Sequence, residues 1–456
     1  MTVRLEVTGG MAVDPPRPVP RPLPVVGHAL QLLFRPRRFL RSLRGCGDIV
    51  EIRLAGTPAY LICAPELVWE MVTDHGDVFI KGGPKTETFR TVFGNGIVAS
   101  NGPFHTRQRR MVRPVFERSR IAVSCDEFAA VAAAAADSWD EAREIDAVHE
   151  MKAVAGMALA RTIFAGSPDV DALTDITRSI PILVDGIGRR MVAPLAPLYK
   201  LPTPQNRRYE SANARMHTLT DRIIDEYRNT SEVREDMLAM LLDAKDEETG
   251  EAMSDQEIHD EVLNIIVAGF ETVATMSAWI LYLIARRPAI QDRVHAEVER
   301  VVDGRPPRFA DVAAMHYVRC LTEEAMRVYP PVWLVIRTST APTTLGDAAI
   351  PSGATVLFSP YMLHHDPRTF PDPDVVDPDR WQAGSRPNTR GAYVPFGAGS
   401  RRCIGSAFAM AEIAVILATI VTRWHIQLIP GTTVRPIVTG TYHPGNLSLT
   451  LAARRS

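Results

Sequence analysis

Cysteine is scarce in this chain. The five present in 456 residues (Cys46, Cys63, Cys125, Cys320 and Cys403) include no C-x-x-C pair, and their number is odd. That excludes a disulfide framework and a cysteine-cluster zinc site, and it fits a reducing compartment. Charge of one sign is also lacking: 51 basic and 53 acidic residues leave a net charge of −2. Nothing therefore draws the whole chain toward nucleic acid or an anionic membrane. Internal repeats are absent. Met1 to Pro24 is polar and proline-rich and holds no apolar run long enough for a signal peptide or anchor. One segment, Val262 to Ala285, is long and apolar enough to pass for a membrane span. Its Asn264, Glu271, Thr272 and Ser277 argue otherwise, because an ionised glutamate is costly in lipid. It reads as a buried helix crossing the core of a soluble, cytoplasmic protein.

With 46% hydrophobic residues the chain can fill a sizeable core. The expected fold class is mainly α with small β-sheets. The first ordered segment is a short helix near Arg35, followed by a hairpin from Ile49-Val-Glu-Ile-Arg-Leu and Ala59-Tyr-Leu-Ile-Cys with its turn near Gly56. Asp77 to Asn101 is Gly-rich and reads as a long loop carrying one short helix; such loops are usually functional. Helical periodicity then runs from His105 for about two hundred residues and is interrupted by prolines at about 191–205. Ser254-Asp-Gln-Glu is a capping box. Beyond Pro330-Pro331 the chain turns β-like, passes through a Pro/Asp-rich meander at 366–380, and regains a helix from about Gly405 to Trp424.

The most informative stretch is Phe396-Gly-Ala-Gly-Ser-Arg401-Arg402-Cys403-Ile-Gly405. A thiolate can ligate haem iron where glycines let the backbone come close and where arginines neutralise the propionates. A dinucleotide fingerprint fails here because its last glycine is Arg402, and a nucleophile elbow fails because Ser400 lacks the G-x-S-x-G spacing. The pattern F-G-x-G-x-R-x-C-x-G resembles the haem-binding loop of the cytochrome P450 family at every fixed position.

Further stretches resemble the same family, in its order. Glu324-Ala-Met-Arg327 puts an acid and a base on one helix face, and each would be expensive to bury alone. By resemblance Arg380 of the meander is their third partner, and the three residues hold the cysteine loop in register. Ala268-Gly269-Phe270-Glu271-Thr272 lies within the long helix. There the resemblance implies that Ala268 and Gly269 leave room for dioxygen, and that Thr272 and Glu271 are catalytic, delivering protons. His105 and Arg109 stand four residues apart on one helix face. With Arg337 and Arg401 they match the family's propionate-binding positions, and Cys403 matches the iron ligand. Arg107, Arg110 and Arg402 suggest a basic patch for an acidic electron donor.

The resemblance implies a single haem-wrapping domain at 25–456 after the proline-rich segment 1–24. The function implied is a monooxygenase that inserts one oxygen atom of O₂ into a hydrophobic substrate. Its cofactors are haem b with axial thiolate and O₂, and its electrons come from NAD(P)H through a separate ferredoxin and ferredoxin reductase. A monomer without a membrane anchor is expected. Positions facing the pocket in the family are mostly apolar: Phe89, Phe93, Ile97, Val98, Ile265, Ala268 and Gly269, then Val332, Trp333, Val335 and Tyr442. Lys81-Gly-Gly-Pro, Gly94-Asn-Gly-Ile-Val and the segment from Arg189 to Arg207 are similar to actinobacterial sesquiterpene oxygenases. A terpenoid substrate is therefore expected, with a fatty acid or a steroid as the alternative. A haem-thiolate isomerase or peroxygenase would need no Glu271-Thr272 pair, and a haem sensor would need no electron donor.

Overall fold

A computed structural model describes residues 19–83, 87–164, 170–192, 196–229, 234 and 236–454. Most of the proline-rich segment expected at 1–24 lies outside these residues, as do parts of the Lys81-Gly-Gly-Pro and 191–205 stretches.

The helix Asp255–Arg286, 32 residues long, is the axis of the molecule. Its start is set by a capping box in which Ser254 and Glu257 satisfy each other's backbone N–H groups, as the sequence predicts. This central helix packs against the helices Ala147–Ile163, Ser406–Arg423 and Pro204–Asn229. Alanines 155, 158 and 160 on Ala147–Ile163 keep the approach close. Two helices, Asp255–Arg286 and Ser406–Arg423, are long and apolar enough to cross a membrane. They owe that composition to burial, 83% and 67% of their apolar windows being inside the fold.

A five-stranded sheet stands to one side, in the order Ile49–Leu54, Thr57–Ile62, Thr355–Phe358, Val335–Ser339, Phe79–Ile80. The expected hairpin pairs Ile49 with Ile62 and Leu54 with Thr57, its turn at Ala55-Gly56. Alternation along the first strand buries Val50, Ile52 and Leu54. The strand Val335–Ser339 pairs antiparallel with Thr355–Phe358 and thereby carries Arg337 into the interior. One expectation needs correction at the start of the chain: helix Ala29–Phe34 precedes the one at Pro36–Ser42, so order begins before Arg35.

The expected loop at 77–101 holds the short strand Phe79–Ile80 and the helix Glu87–Phe93, which we call the roof helix. The segment after it is pinned to the central helix through its backbone. Asp260 accepts from the Asn95 N–H (2.7 Å), Glu261 from Ile97 (2.8 Å) and Asn264 from Val98 (2.9 Å). Gly94 and Gly96 permit this approach: a Cβ at either would lie 2.1 Å from Asp260 or 2.6 Å from Asn264. Gly94 also sits at φ +55°.

Candidate active site

The cysteine loop runs from Phe396 into the helix Ser406–Arg423. Gly397 and Gly399 take φ of +68° and +63°. At Gly399 a Cβ would lie 2.0 Å from the Val72 carbonyl, so only glycine fits. The Cys403 N–H bonds the Phe396 carbonyl at 2.9 Å and closes the loop. The thiol is exposed, yet its desolvating surroundings raise its pKa, opposed by the Gly405 N–H and by Arg109, Lys81 and Arg402. Exposure and desolvation coexist where a group faces an enclosed space rather than bulk water.

The central helix carries an opening of its own. Residues 258–267 are all buried, and so are 273–284, but Ala268 is exposed and Gly269 and Thr272 are half-buried. Ala268 and Thr272 are four residues apart and share a face. An exposed alanine in the middle of an otherwise buried helix marks a cavity. The Thr272 hydroxyl donates to the Ala268 carbonyl at 2.9 Å, an intrahelical bond it can exchange for one to a ligand.

Glu271 turns the other way. It is 3% exposed, lies 3.8 Å from the Lys152 ammonium and accepts from Thr441 at 3.5 Å. Burial pushes its carboxyl up to about 7, partly offset by Lys152. A group poised there can give or take a proton near neutrality.

A belt of cations rims the cavity. His105 is buried, and desolvation together with Arg401, Lys81 and Arg109 drives its imidazole down to about 3. Burial, then Arg401, lowers the Arg337 guanidinium to about 10. Burial, then Arg109, lowers Arg401 to about 10. Arg109 is lowered by the same desolvation, and Lys81 falls well below its ordinary value through burial and the neighbouring Arg337 and Arg401. Among the described residues no ion pair joins Lys81, Arg109, Arg337 or Arg401 to an acid. Arg401 donates instead to the Ser100 carbonyl (2.7 Å) and Asn101 (2.9 Å), and Arg337 to the Ile336 carbonyl (2.8 Å). Several desolvated cations around one space require an anionic guest. A flat macrocycle bearing two carboxylates, set beside the Cys403 thiol that Arg109 and Lys81 adjoin, meets that requirement, so the residues fit haem. Sequence reasoning missed Lys81 and Asn101, which exchanges hydrogen bonds with the Lys81 backbone and fixes Arg401.

The buried pair Glu324 and Arg327 meets in two bonds of 2.8 Å. Arg327 also donates to the His364, Pro373 and Val375 carbonyls, gathering the meander. Arg380 is an ion-pair partner of Glu324, as expected, but the hydrogen bonds come from its neighbours. Arg380 stands 3.8 Å from Glu324, with its Nε unbonded, whereas the Trp381 indole N–H and the Asp377 N–H donate to the carboxylate at 2.8 Å each.

Other predicted positions separate. Phe89 and Phe93 stack at 5.8 Å on the roof helix, with Val98 beside them against the core. Ile265 is 8% exposed; Val332 is exposed and Val335 half-buried. Four expectations need correction. A Cβ on Gly269 would meet Leu159 at 3.2 Å, so this glycine serves helix packing more than ligand space. Tyr442 is core: it is 1% exposed, takes a bond from Arg37 and packs edge-on against Trp279, Tyr329 and Tyr361. Trp333 is buried with its indole N–H on the Thr439 carbonyl. Arg107 and Arg110 form no free basic patch, because Glu257, Asp246 and Glu248 neutralise them. A separate groove of about 550 Å³, lined by Arg189, Arg190, Arg208, Tyr199 and Tyr209, lies between the helices Val170–Val192 and Pro204–Asn229 and includes no residue of the Cys403 cavity.

Comparison with known proteins agrees with this architecture. The chain is 43% identical over 419 residues to cyclooctatin synthase of Streptomyces melanosporofaciens, covering 91% of each protein. It is 40% identical to cyclooctat-9-en-7-ol 5-monooxygenase of the same organism, covering 95% of each. Pentalenene oxygenase of Streptomyces avermitilis is 36% identical, over 95% of this chain and 97% of that one. The crystal structure of the cytochrome P450DA heme domain superposes with a TM-score of 0.83 at 24% identity, over 96% and 98% of the two chains, a likeness of fold. The family model for cytochrome P450 matches residues 16–451; the chain belongs to that family and is a monooxygenase that uses haem and dioxygen on a hydrophobic substrate, with a redox partner supplying electrons.

Proposed function

We propose that this monooxygenase oxidises a terpenoid, a hydrocarbon or a terpene alcohol, with Cys403 as the iron ligand. The single observation that carries the assignment of the site is the exposed Cys403 thiol amid desolvated cations that, among the described residues, pair with no acid. Haem, when bound, supplies the oxygen activation and the oxidising power. His105, Arg109, Arg337 and Arg401, with Lys81, would hold its carboxylates, and Gly405 would donate its N–H to the sulfur.

Thr272 holds a proton on its hydroxyl at the cavity wall and can turn it from the Ala268 carbonyl toward a bound ligand. Glu271, next in the chain but turned toward Lys152, would hold a second proton near neutrality. The roof residues Phe89, Phe93 and Val98, packed in or against the core, would bring apolar surface against the substrate and exclude water. The terpenoid reading is supported by three relatives named for cyclooctatin, cyclooctat-9-en-7-ol and pentalenene. Electrons would come from NAD(P)H through a ferredoxin and its reductase, in the cytoplasm, to a monomer.

The test is optical titration of the haem-loaded protein with a panel of terpenes, fatty acids and steroids. Displacement of water from iron by terpenes at the lowest concentrations is expected. Preference for fatty acids or steroids would overturn the substrate class and leave the haem assignment standing.

A further inference from the structure

Away from Cys403, the groove between the helices Val170–Val192 and Pro204–Asn229 collects cations from both of its walls. Arg189 and Arg190 come from the first helix and Arg208 from the second; among the described residues Asp185 is the only acid in the lining. Asp185 is already engaged by the Thr439 hydroxyl. No ion pair among the described residues engages Arg189, Arg190 or Arg208. Ile182 and Arg208 are shared with an adjoining hollow of about 380 Å³, which Arg207 and Arg215 also line.

These cations stand on a built framework. The Arg190 guanidinium lies 3.6 Å from the centre of the Tyr209 ring and 4.9 Å from that of Tyr199. Its nitrogens reach the Gly186 carbonyl at 3.3 Å and the Asn206 side chain at 3.5 Å. Tyr209 fits there because residue 186 is glycine: a Cβ would lie 2.2 Å from its ring. Asn206 donates to the Leu198 and Leu201 carbonyls at 3.0 and 2.8 Å, which ties the Tyr199 segment to the start of the second helix. Gln205, its amide oxygen turned to Arg189, accepts from that guanidinium at 2.5 Å. All of these partners are neutral, so they orient the guanidinium planes and leave the charge uncompensated. Stacked Arg190 alone would tie the two helices together; Arg189 and Arg208 add charge that such a tie does not require.

We infer that this groove binds a soluble organic phosphate, its head on Arg189, Arg190 and Arg208 and its apolar body along Pro181, Ile182 and Pro204. Guanidinium forks arriving from two sides match the several oxygens of one phosphate group. The first turn of the 26-residue helix Pro204–Asn229 lines the same groove and adds the positive end of its dipole. A volume of about 550 Å³ is that of a small-molecule site and far exceeds what a bare phosphate fills.

Isothermal titration calorimetry of the haem-loaded protein, its iron saturated with 4-phenylimidazole to block the cavity, tests this with n-octyl phosphate as the probe. One site per chain is expected, tighter than about 1 mM. Inorganic phosphate and n-octanol each carry half of that ligand and should bind at least about tenfold more weakly. Arg208→Gln removes a side chain that makes no hydrogen bond among the described residues, and it should weaken octyl phosphate at least about tenfold while the carbon monoxide difference spectrum stays unchanged. Arg189→Gln should act in the same direction. Equal affinity for octanol or for inorganic phosphate, unchanged affinity in Arg208→Gln, or binding to phosphatidylglycerol vesicles without binding of monomeric octyl phosphate would overturn the assignment.

Discussion

Thr272 and Glu271 are neighbours in sequence and face opposite ways, one to the cavity and one to Lys152. Their division of labour gives the first prediction. Thr272→Ala should retain haem and still consume NAD(P)H, while product formed per electron pair falls by roughly tenfold or more and hydrogen peroxide appears. Unchanged coupling would remove Thr272 from proton delivery. Lys81 gives the second. Lys81→Met removes one cation from the belt, so haem should dissociate measurably faster to an apo-globin acceptor, with the cysteine ligand's spectrum intact. Both residues sit on ordinary-looking stretches. The sequence identified Thr272 through its motif but gave Lys81 no part in the site, and that part is recognisable only because Asn101 folds it back against Arg401.

The lock between the helix His316–Val328 and the meander shows how elements are held. Glu324 and Arg327 are both fully buried, and the carboxylate takes four hydrogen bonds. Glu324→Gln leaves Arg327 as an uncompensated interior charge, which should cost about 3–5 kcal/mol in chemical denaturation. Trp381→Phe removes one bond to an ionised group and should cost about 1.5–3 kcal/mol. A smaller loss for Trp381→Phe than for Arg380→Ala would make the ion pair the stronger tie. Periodicity marked the acid–base pair because both residues lie three apart on one helix. It could not choose between adjacent residues of the meander. That choice depends on the turn Pro378–Trp381, which swings the indole inward and leaves Arg380 at 3.8 Å.

Across the whole molecule, buried titratable groups set the pH dependence of stability. Desolvation raises Glu261 and Glu412 to about 8 from 4.5. A carboxyl whose folded pKa is raised binds more protons folded than unfolded, so stability falls as pH rises between those values. His105 and His364 are held near 3, below their ordinary 6.5, so their neutral burial stabilises above 6.5 and that contribution is lost as pH falls. Between about pH 6.5 and about pH 8 only the carboxyls still act, and the holoenzyme's unfolding free energy should decline. Glu412→Gln should flatten that decline. An identical slope in the variant would show that Glu412 is already ionised in the folded state.

The sequence by itself determined the family, the cysteine loop, the long buried helix with its capping box, and the acid–alcohol pair. Each of these is a local pattern whose spacing already dictates geometry. Tertiary structure decided the rest. Packing against the Ala147–Ile163 helix assigned Gly269 to Leu159, and an aromatic cluster drawn from distant segments claimed Tyr442 for the core. Ion pairs across about 140 residues of chain withdrew Arg107 and Arg110 from the surface patch. Side chains that share one helix face can be read from spacing, whereas the partner across a gap is chosen by long-range packing, for which a single sequence carries no register.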